Sequence, residues 1–246
     1  MGRRYESPPV IEALCEFKFD PASFWDLTIP GLMYEKIQET FPRRNQVAQI
    51  NAAITGNAEG IIQQFGAIPL MQFLREDGTS LVQVGQNLLT INQLKPYSSW
   101  QEFLPLIEKS LQAYKEVVHP KTVSHVALRY INRIEFEHNI ELEDYLNFRP
   151  FLGKELPQEF SVFVVGVLLP RENTRDSINL QLTTINTDAP NTISLILDIN
   201  YILTKPKEVE LDNLLKWVDT AHKNVEEIFE ACITDKLRQI FKEIQA

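Results

Sequence analysis

Apolar and polar residues alternate along several segments of the chain with the period of two that is typical of β-strands. In residues 10–19, VIEALCEFKF, one side is apolar and the other carries charge. The apolar side holds Ile11, Ala13, Cys15, Phe17 and Phe19, and the charged side holds Glu12, Glu16 and Lys18. Further strands are predicted within 45–75 and at 80–94, 123–136, 177–185 and 193–203. Residues 161–169, SVFVVGVLL, are apolar almost throughout, which predicts a strand covered on both faces.

Three segments show helical spacing instead. A helix is predicted at 30–41, with Pro30 in its first turn. The next helix follows a capping box, Ser99 and Glu102, and ends before Pro120. One apolar stripe then runs from about Leu211 to Ile244 and predicts a long helix, which would reach about 50 Å if unbroken. Part of so long a helix is expected to pack on a second subunit.

These elements predict an α+β protein, a mostly antiparallel sheet with amphipathic helices on one face. Strands precede a helix in both parts of the chain, so two similarly built halves are expected. A polar stretch near residue 155 places the boundary between 1–155 and 156–246. One continuous domain is the alternative.

The formal net charge of −9 disfavours generic binding to nucleic acid or to anionic membranes, which a basic surface would favour. The two cysteines, Cys15 and Cys232, both fall on apolar sides and are expected to be buried thiols. The chain has no secretory leader pattern and no apolar run long enough to span a bilayer, so a cytoplasmic location is expected.

Sequence motifs for known chemistry are missing. The sequence contains no G-x-S-x-G, no glycine-rich phosphate loop, no C-x-x-C and no H-E-x-x-H. No catalytic residue, metal site or cofactor is therefore predicted. His222 and Glu226 lie four residues apart on the last helix, where they form either half of a metal site or, more commonly, a polar pair.

The segment 125–136, HVALRYINRIEF, carries the most unusual pattern. Its apolar side is interrupted only by Asn132, which we expect to be a buried structural hydrogen-bonding group. The other side carries His125, Arg129, Arg133 and Glu135. If strands 10–19 and 123–136 are neighbours, Glu12 and Glu16 would face the two arginines. Such cross-strand pairs contribute up to about 1 kcal/mol each.

This cluster admits two interpretations. In the first, Glu12, Glu16, His125, Arg129, Arg133 and Glu135 form a satisfied ion-pair network on a sheet face. In the second, the same residues bind a ligand or a partner, with the arginines holding an anion. The sequence favours the first and leaves the second open.

Four segments resemble a sporadically distributed family of uncharacterised bacterial and archaeal proteins. They are YESPPVIEALCEFKF, VQVGQNLLTINQLKPYSSWQEF, ALRYINRIEF and AHKNVEEIFEACIT, in this order along the chain. The resemblance implies one full-length module and the patchy occurrence of genes on mobile or defence-associated loci. It implies no activity, cofactor or catalytic residue.

Without motifs for chemistry, the sequence favours a non-enzymatic protein-interaction module. It is expected to be a homo-oligomer, a homodimer in the first place, and to bind a protein partner through the charged face of the sheet or the long C-terminal helix. The alternative is an anion- or nucleotide-binding protein or enzyme that uses Arg129 and Arg133.

Overall fold

The computed structural model describes residues 3–20, 25–57, 60–137, 140–157, 162–187, 189 and 192–244. The strands are β1 (Arg4–Tyr5), β2 (Val10–Phe19), β3 (Arg43–Asn57), β4 (Gly60–Leu74), β5 (Ser80–Gly85), β6 (Leu88–Leu94), β7 (Val123–Glu137), β8 (Val164–Arg171), β9 (Asp176–Ile185), β10 (Thr192–Leu203) and β11 (Glu243–Ile244). The α-helices are α1 (Ile29–Ile37), α2 (Trp100–Val118), α3 (Leu214–Cys232) and α4 (Asp235–Phe241). The α+β class and the mostly antiparallel pairing are confirmed.

The chain divides into two compact units built from separate segments. Unit 1 consists of residues 1–15, 94–97 and 125–246, and unit 2 consists of residues 16–93 and 98–124. Strands β2 and β7 contribute residues to both units. The boundary near residue 155 stays a prediction.

In unit 2 the strands follow the order β3-β4-β5-β6-β2, and the helices α1 and α2 contact each other and pack on the strands through Tyr34 against Phe73 and Tyr114 against Phe19. Ser99 caps α2, as the capping box predicts, because its side chain accepts a hydrogen bond from the Glu102 N–H. The core is aromatic: the rings of Phe19 and Tyr114 stack with centroids 4.8 Å apart. On the other side of these strands, amide side chains form a hydrogen-bonded ladder through Asn45, Gln72, Gln83 and Asn92.

Unit 1 packs α3 on strands in the order β2-β7-β10-β9-β8. The side chains that face α3 include Leu195, Leu197, Ile199 and Tyr201, all fully buried. Residues at the alternate positions point away from α3, and we call that side of the sheet the polar face; it carries Arg129, Arg133, Asn179, Gln181, Asp198 and Asn200. This side is partly or fully exposed at most positions.

The long C-terminal helix is confirmed as α3, but the apolar stripe from Leu211 to Ile244 does not form one unbroken helix. Ile233 has extended dihedral angles, and α4 begins anew after it. Thr234 caps the new helix: its hydroxyl accepts a hydrogen bond from the Leu237 N–H and donates one to the Asp144 carbonyl. A threonine that accepts from the third residue of a helix is a strong start signal, and it overrides the continuous apolar stripe.

The predicted coverage of 161–169 on both faces is also wrong. Strand β8 lies at the end of the strand order in unit 1, and Val164, Val167 and Leu168 are 67%, 40% and 63% exposed. An uninterrupted apolar run is typical of a strand buried on both sides, but it also arises when an apolar edge is left open.

No helix among the described residues has the length and apolar character needed to cross a membrane.

Candidate functional site

The charged stripe on β7 has the alternation that the sequence predicts. Val126, Leu128, Tyr130, Ile134 and Phe136 are buried. The positions between them point to the polar face, and Arg133 and Glu135 are exposed there. Asn132 is 1% exposed and donates through Nδ2 to the Leu197 carbonyl at 3.1 Å, which gives this buried amide a structural partner.

Arg129 is held by a carboxylate from another strand, Asp198. Its Nε donates to Asp198 Oδ1 at 2.8 Å, and its Nη2 donates to Asp198 Oδ2 at 2.5 Å. Asp198 lies on β10 two residues before Asn200, and Asn200 is directly opposite Arg129 in the register. This is the two-pronged geometry that suits a guanidinium and a carboxylate. An anionic ligand at Arg129 would have to compete with Asp198.

Arg133 also has an acidic neighbour. Its Nη2 lies 2.7 Å from Glu135 Oε1, two residues along the same strand. Its Nε donates to Ser194 Oγ on β10 at 3.2 Å. Both members of this ion pair are well exposed, so it is worth at most about 1 kcal/mol.

The remaining predicted residues lie on neighbouring strands. Strand β2 runs beside β7, and the Arg133 N–H donates to the Pro9 carbonyl at 2.9 Å. Glu12, Glu16 and His125 are all half-buried, and Glu16 Oε1 lies 3.0 Å from Lys18 Nζ. The adjacency of the two strands is confirmed, while the pairing of Glu12 and Glu16 with the arginines stays a prediction.

A second cluster in unit 1 joins four titratable side chains in one hydrogen-bonded line. The hydroxyls of Tyr97 and Tyr130 lie 3.0 Å apart, and the Tyr130 hydroxyl lies 3.2 Å from His222 Nδ1. His222 Nε2 lies 3.3 Å from Glu226 Oε1. Tyr130 and His222 are 6% and 7% exposed. Burial raises the pKa of Tyr130 and that of Tyr97 well above the usual range of tyrosine, so both phenols keep their protons at neutral pH.

Only half of this line can be predicted from the sequence. His222 and Glu226 lie four residues apart on one helix, a spacing that brings their side chains together. Tyr130 and Tyr97 come from distant segments, and only their place in the sheet brings them to the imidazole.

A third polar cluster surrounds a fully buried carboxylate, Asp176. Arg175, Tyr201 and Trp217 all donate to it, with the Tyr201 hydroxyl and the Trp217 Nε1 each at 3.0 Å. Burial first, and then the Asp176 charge, raise the pKa of Tyr201. Because its acceptor sites are occupied, this cluster is a structural anchor of α3 on β9 and β10.

The strand β8 and the residues just before it expose a run of apolar side chains. Val162, Val164, Val167 and Leu168 are exposed, and no charged residue lies between 162 and 170. Edge strands usually carry charge or are covered, since open backbone groups would otherwise pair with another strand.

The described residues contain no group of three side chains arranged to hold a metal ion. Cys15 and Cys232 are both buried free thiols. Burial raises the pKa of the Cys232 thiol from 9.0 to about 12, which keeps it protonated and unreactive near neutral pH.

No protein-family model matches this chain, and a search of curated proteins finds no match.

Proposed function

We propose that this protein is a non-enzymatic interaction module that assembles with a second copy of itself through the edge of β8. The observation that carries this proposal is the exposed stretch of β8 from Val164 to Pro170, which has no charged residue and lies at the end of the unit 1 strand order. The charged stripe on β7 has two interpretations, a structural ion-pair network or an anion-binding site. Both arginines already have acidic neighbours, which favours a structural network over an anion site.

The hydrogen-bonding pattern identifies which backbone groups of β8 point outward. Phe163 and Thr184 form a bonded pair with β9, since the Thr184 N–H donates to the Phe163 carbonyl at 3.1 Å. In an antiparallel ladder such pairs recur at every second residue. The backbone groups of Val164, Gly166 and Leu168 therefore point away from β9. The backbone nitrogen of Pro170 also points away from β9. Proline has no N–H to leave unpaired there, as expected on an edge strand.

These outward groups match a second β8 strand in one antiparallel register. With Gly166 at the twofold axis, Val164 lies opposite Leu168 of the second copy, and Gly166 lies opposite its own equivalent. Each residue pair then exchanges two backbone hydrogen bonds. The ladder ends at Pro170, which has no N–H to donate. Apolar side chains would meet apolar side chains on both faces of the new strand pair.

The charge of the chain favours this surface over others for self-association. Each copy carries a net charge of −9, so two copies repel one another in general. The uncharged stretch 162–170 lets the strands approach without placing like charges opposite each other.

Insertion of a charge on this edge tests the proposal. Leu168→Lys places like charges near the twofold axis, and we expect it to give monomers where the wild type gives dimers, as measured by sedimentation velocity. The matched control is Leu27→Lys, because Leu27 is 91% exposed and lies outside β8. A wild type that is monomeric at concentrations up to about 100 μM, or a dimer unaffected by Leu168→Lys, would refute pairing through β8.

Cross-linking tests the register. Bonded antiparallel pairs have Cα atoms about 5.5 Å apart, which lies within the range of a disulfide. A Cβ at Gly166 would meet the Leu180 carbonyl at 3.6 Å, an ordinary contact, so cysteine fits there. Gly166→Cys should form a disulfide-linked dimer under mild oxidation. The control, Asn179→Cys, is exposed one strand further in and should stay monomeric on a denaturing gel.

A further inference from the structure

We infer that Tyr97, Tyr130, His222 and Glu226 form a hydrogen-bond relay, in which protonation of His222 reverses the direction of both tyrosine hydroxyls. The four residues belong to unit 1, and consecutive polar atoms along the line are 3.0, 3.2 and 3.3 Å apart. This inference does not depend on pairing through β8.

The neutral state of His222 fixes one direction of hydrogen bonding. With its proton on Nε2, His222 donates to Glu226 Oε1, and Nδ1 accepts from the Tyr130 hydroxyl. The Tyr130 oxygen is then available to accept from the Tyr97 hydroxyl. Every hydroxyl in this state donates toward the imidazole.

The protonated state requires the opposite direction. A proton added to Nδ1 makes that nitrogen a donor to the Tyr130 oxygen, so the Tyr130 hydrogen must turn toward Tyr97. The Tyr97 hydrogen must turn away from Tyr130 in its turn. One proton enters the line, no bond between heavy atoms changes, and the positive imidazolium lies beside the Glu226 carboxylate.

The surroundings of the line support such coupling. Tyr130 is buried, and the titratable groups around it are Tyr97, His222, Glu226 of α3 and Cys15 of β2. The phenols keep their protons because burial raises the pKa of each. Their O–H bonds can therefore turn from one neighbour to the other without ionisation. Glu226 is 41% exposed and connects the inner line to solvent.

The consequence lies at Tyr97. When His222 is neutral, the Tyr97 hydroxyl donates inward and offers only oxygen lone pairs to its other neighbours. When His222 is protonated, the same hydroxyl offers an O–H donor, which suits a carbonyl, carboxylate or phosphate oxygen. The relay therefore makes the hydrogen-bonding character of Tyr97 depend on pH.

Nuclear magnetic resonance of the full chain tests the relay, with ring nitrogens observed for histidine and Cζ for tyrosine. In the wild type the Tyr97 Cζ shift should change over the same pH range in which His222 protonates. In Tyr130→Phe, which keeps the ring and removes the hydroxyl, His222 should still protonate while the Tyr97 shift stays constant. A constant Tyr97 shift in the wild type would overturn the inference. So would a Tyr97 shift that still follows His222 in Tyr130→Phe, because the coupling would then act through space.

A second variant protects the test if Tyr130→Phe does not fold. Tyr97→Phe removes the acceptor that Tyr130 needs when His222 is protonated, so His222 should protonate at lower pH than in the wild type. An unchanged or higher protonation pH of His222 would contradict the relay. Asn224→Ala, on the same helix and outside the line, is the control and should leave that protonation unchanged.

Discussion

Buried hydroxyl groups differ in what they contribute to stability, and two tyrosines of this protein show both cases. The Tyr201 hydroxyl donates to Asp176 at 3.0 Å. The Tyr114 hydroxyl is fully buried in unit 2 and has no hydrogen-bond partner among the described residues. A satisfied hydroxyl next to a charge stabilises the folded state, whereas an unsatisfied one costs free energy because it has lost its water.

Removal of the two hydroxyls should therefore have opposite effects. Tyr114→Phe is expected to raise the free energy of unfolding by about 1 kcal/mol, since the ring remains and an unpaired polar atom is lost. Tyr201→Phe is expected to lower it by about 2 kcal/mol, because a hydrogen bond to a buried carboxylate disappears. Urea denaturation followed by circular dichroism measures both. Equal destabilisation by the two substitutions would show that Tyr114 has a partner after all.

Residue types along one strand identify a polar stripe but not its partners. The alternation in HVALRYINRIEF correctly separates Arg129 and Arg133 from the buried side. The partner of Arg129, however, is Asp198, whose proximity depends on the pairing of β7 with β10 across a long loop. The Asp176 cluster was not predicted for the same reason, since Tyr201 and Trp217 lie far from it in sequence.

Helix and strand boundaries were predictable where a local signal marks them. Ser99 and Glu102 begin α2 as expected, and the helix ends at Val118 before a residue with a left-handed backbone, His119. The break at Ile233 was missed because the apolar stripe continues through it, although Thr234 carries the start signal. The turn before β9 could not be predicted, because Glu172 and Thr174 rarely adopt the positive φ found there.

The cap at Thr234 gives a prediction for the element it starts. Thr234→Ala removes the acceptor for the Leu237 N–H and the donor to the Asp144 carbonyl, and should cost about 1–2 kcal/mol of unfolding free energy. The control is Thr220→Ala in α3, whose hydroxyl donates to a carbonyl of its own helix, Lys216, and should change stability little. Chemical denaturation compares the two variants; equal effects would show that Thr234 is not a working cap.

Over the whole molecule, net charge acts against self-association. Copies that each carry a charge of −9 repel one another, and salt screens that repulsion. If the copies pair through the uncharged stretch Val164–Pro170 of β8, raising the salt concentration from about 20 to about 200 mM should strengthen the dimer several-fold. Sedimentation equilibrium measures this directly. Weakening by salt would instead indicate that opposite charges meet across the interface.

Stability of the whole chain should fall at alkaline pH. Burial raises the pKa of the Cys232 thiol from 9.0 to about 12 and that of Tyr114 above its usual 10.0. The folded forms therefore keep protons that the unfolded chain releases, and unfolding becomes more favourable as the pH rises above about 9. The melting temperature should decline between pH 9 and 11, and less steeply in Tyr114→Phe. A flat profile over this range would contradict the role assigned to these groups.

The short pairing of β1 with β11 places residues Arg4–Tyr5 beside Glu243–Ile244. Arg3 extends this contact through an ion pair of 2.9 Å with Glu243. A linker of a few residues from Ile244 to Arg3 would therefore connect these two strands, and new ends can be opened at the turn around Asp77 and Gly78. Such a circular permutant keeps every strand neighbour of the original chain and changes only their order of synthesis. A comparison of its folding rate with that of the original chain would show whether folding depends on the order of the strands along the chain or only on the contacts of the folded state.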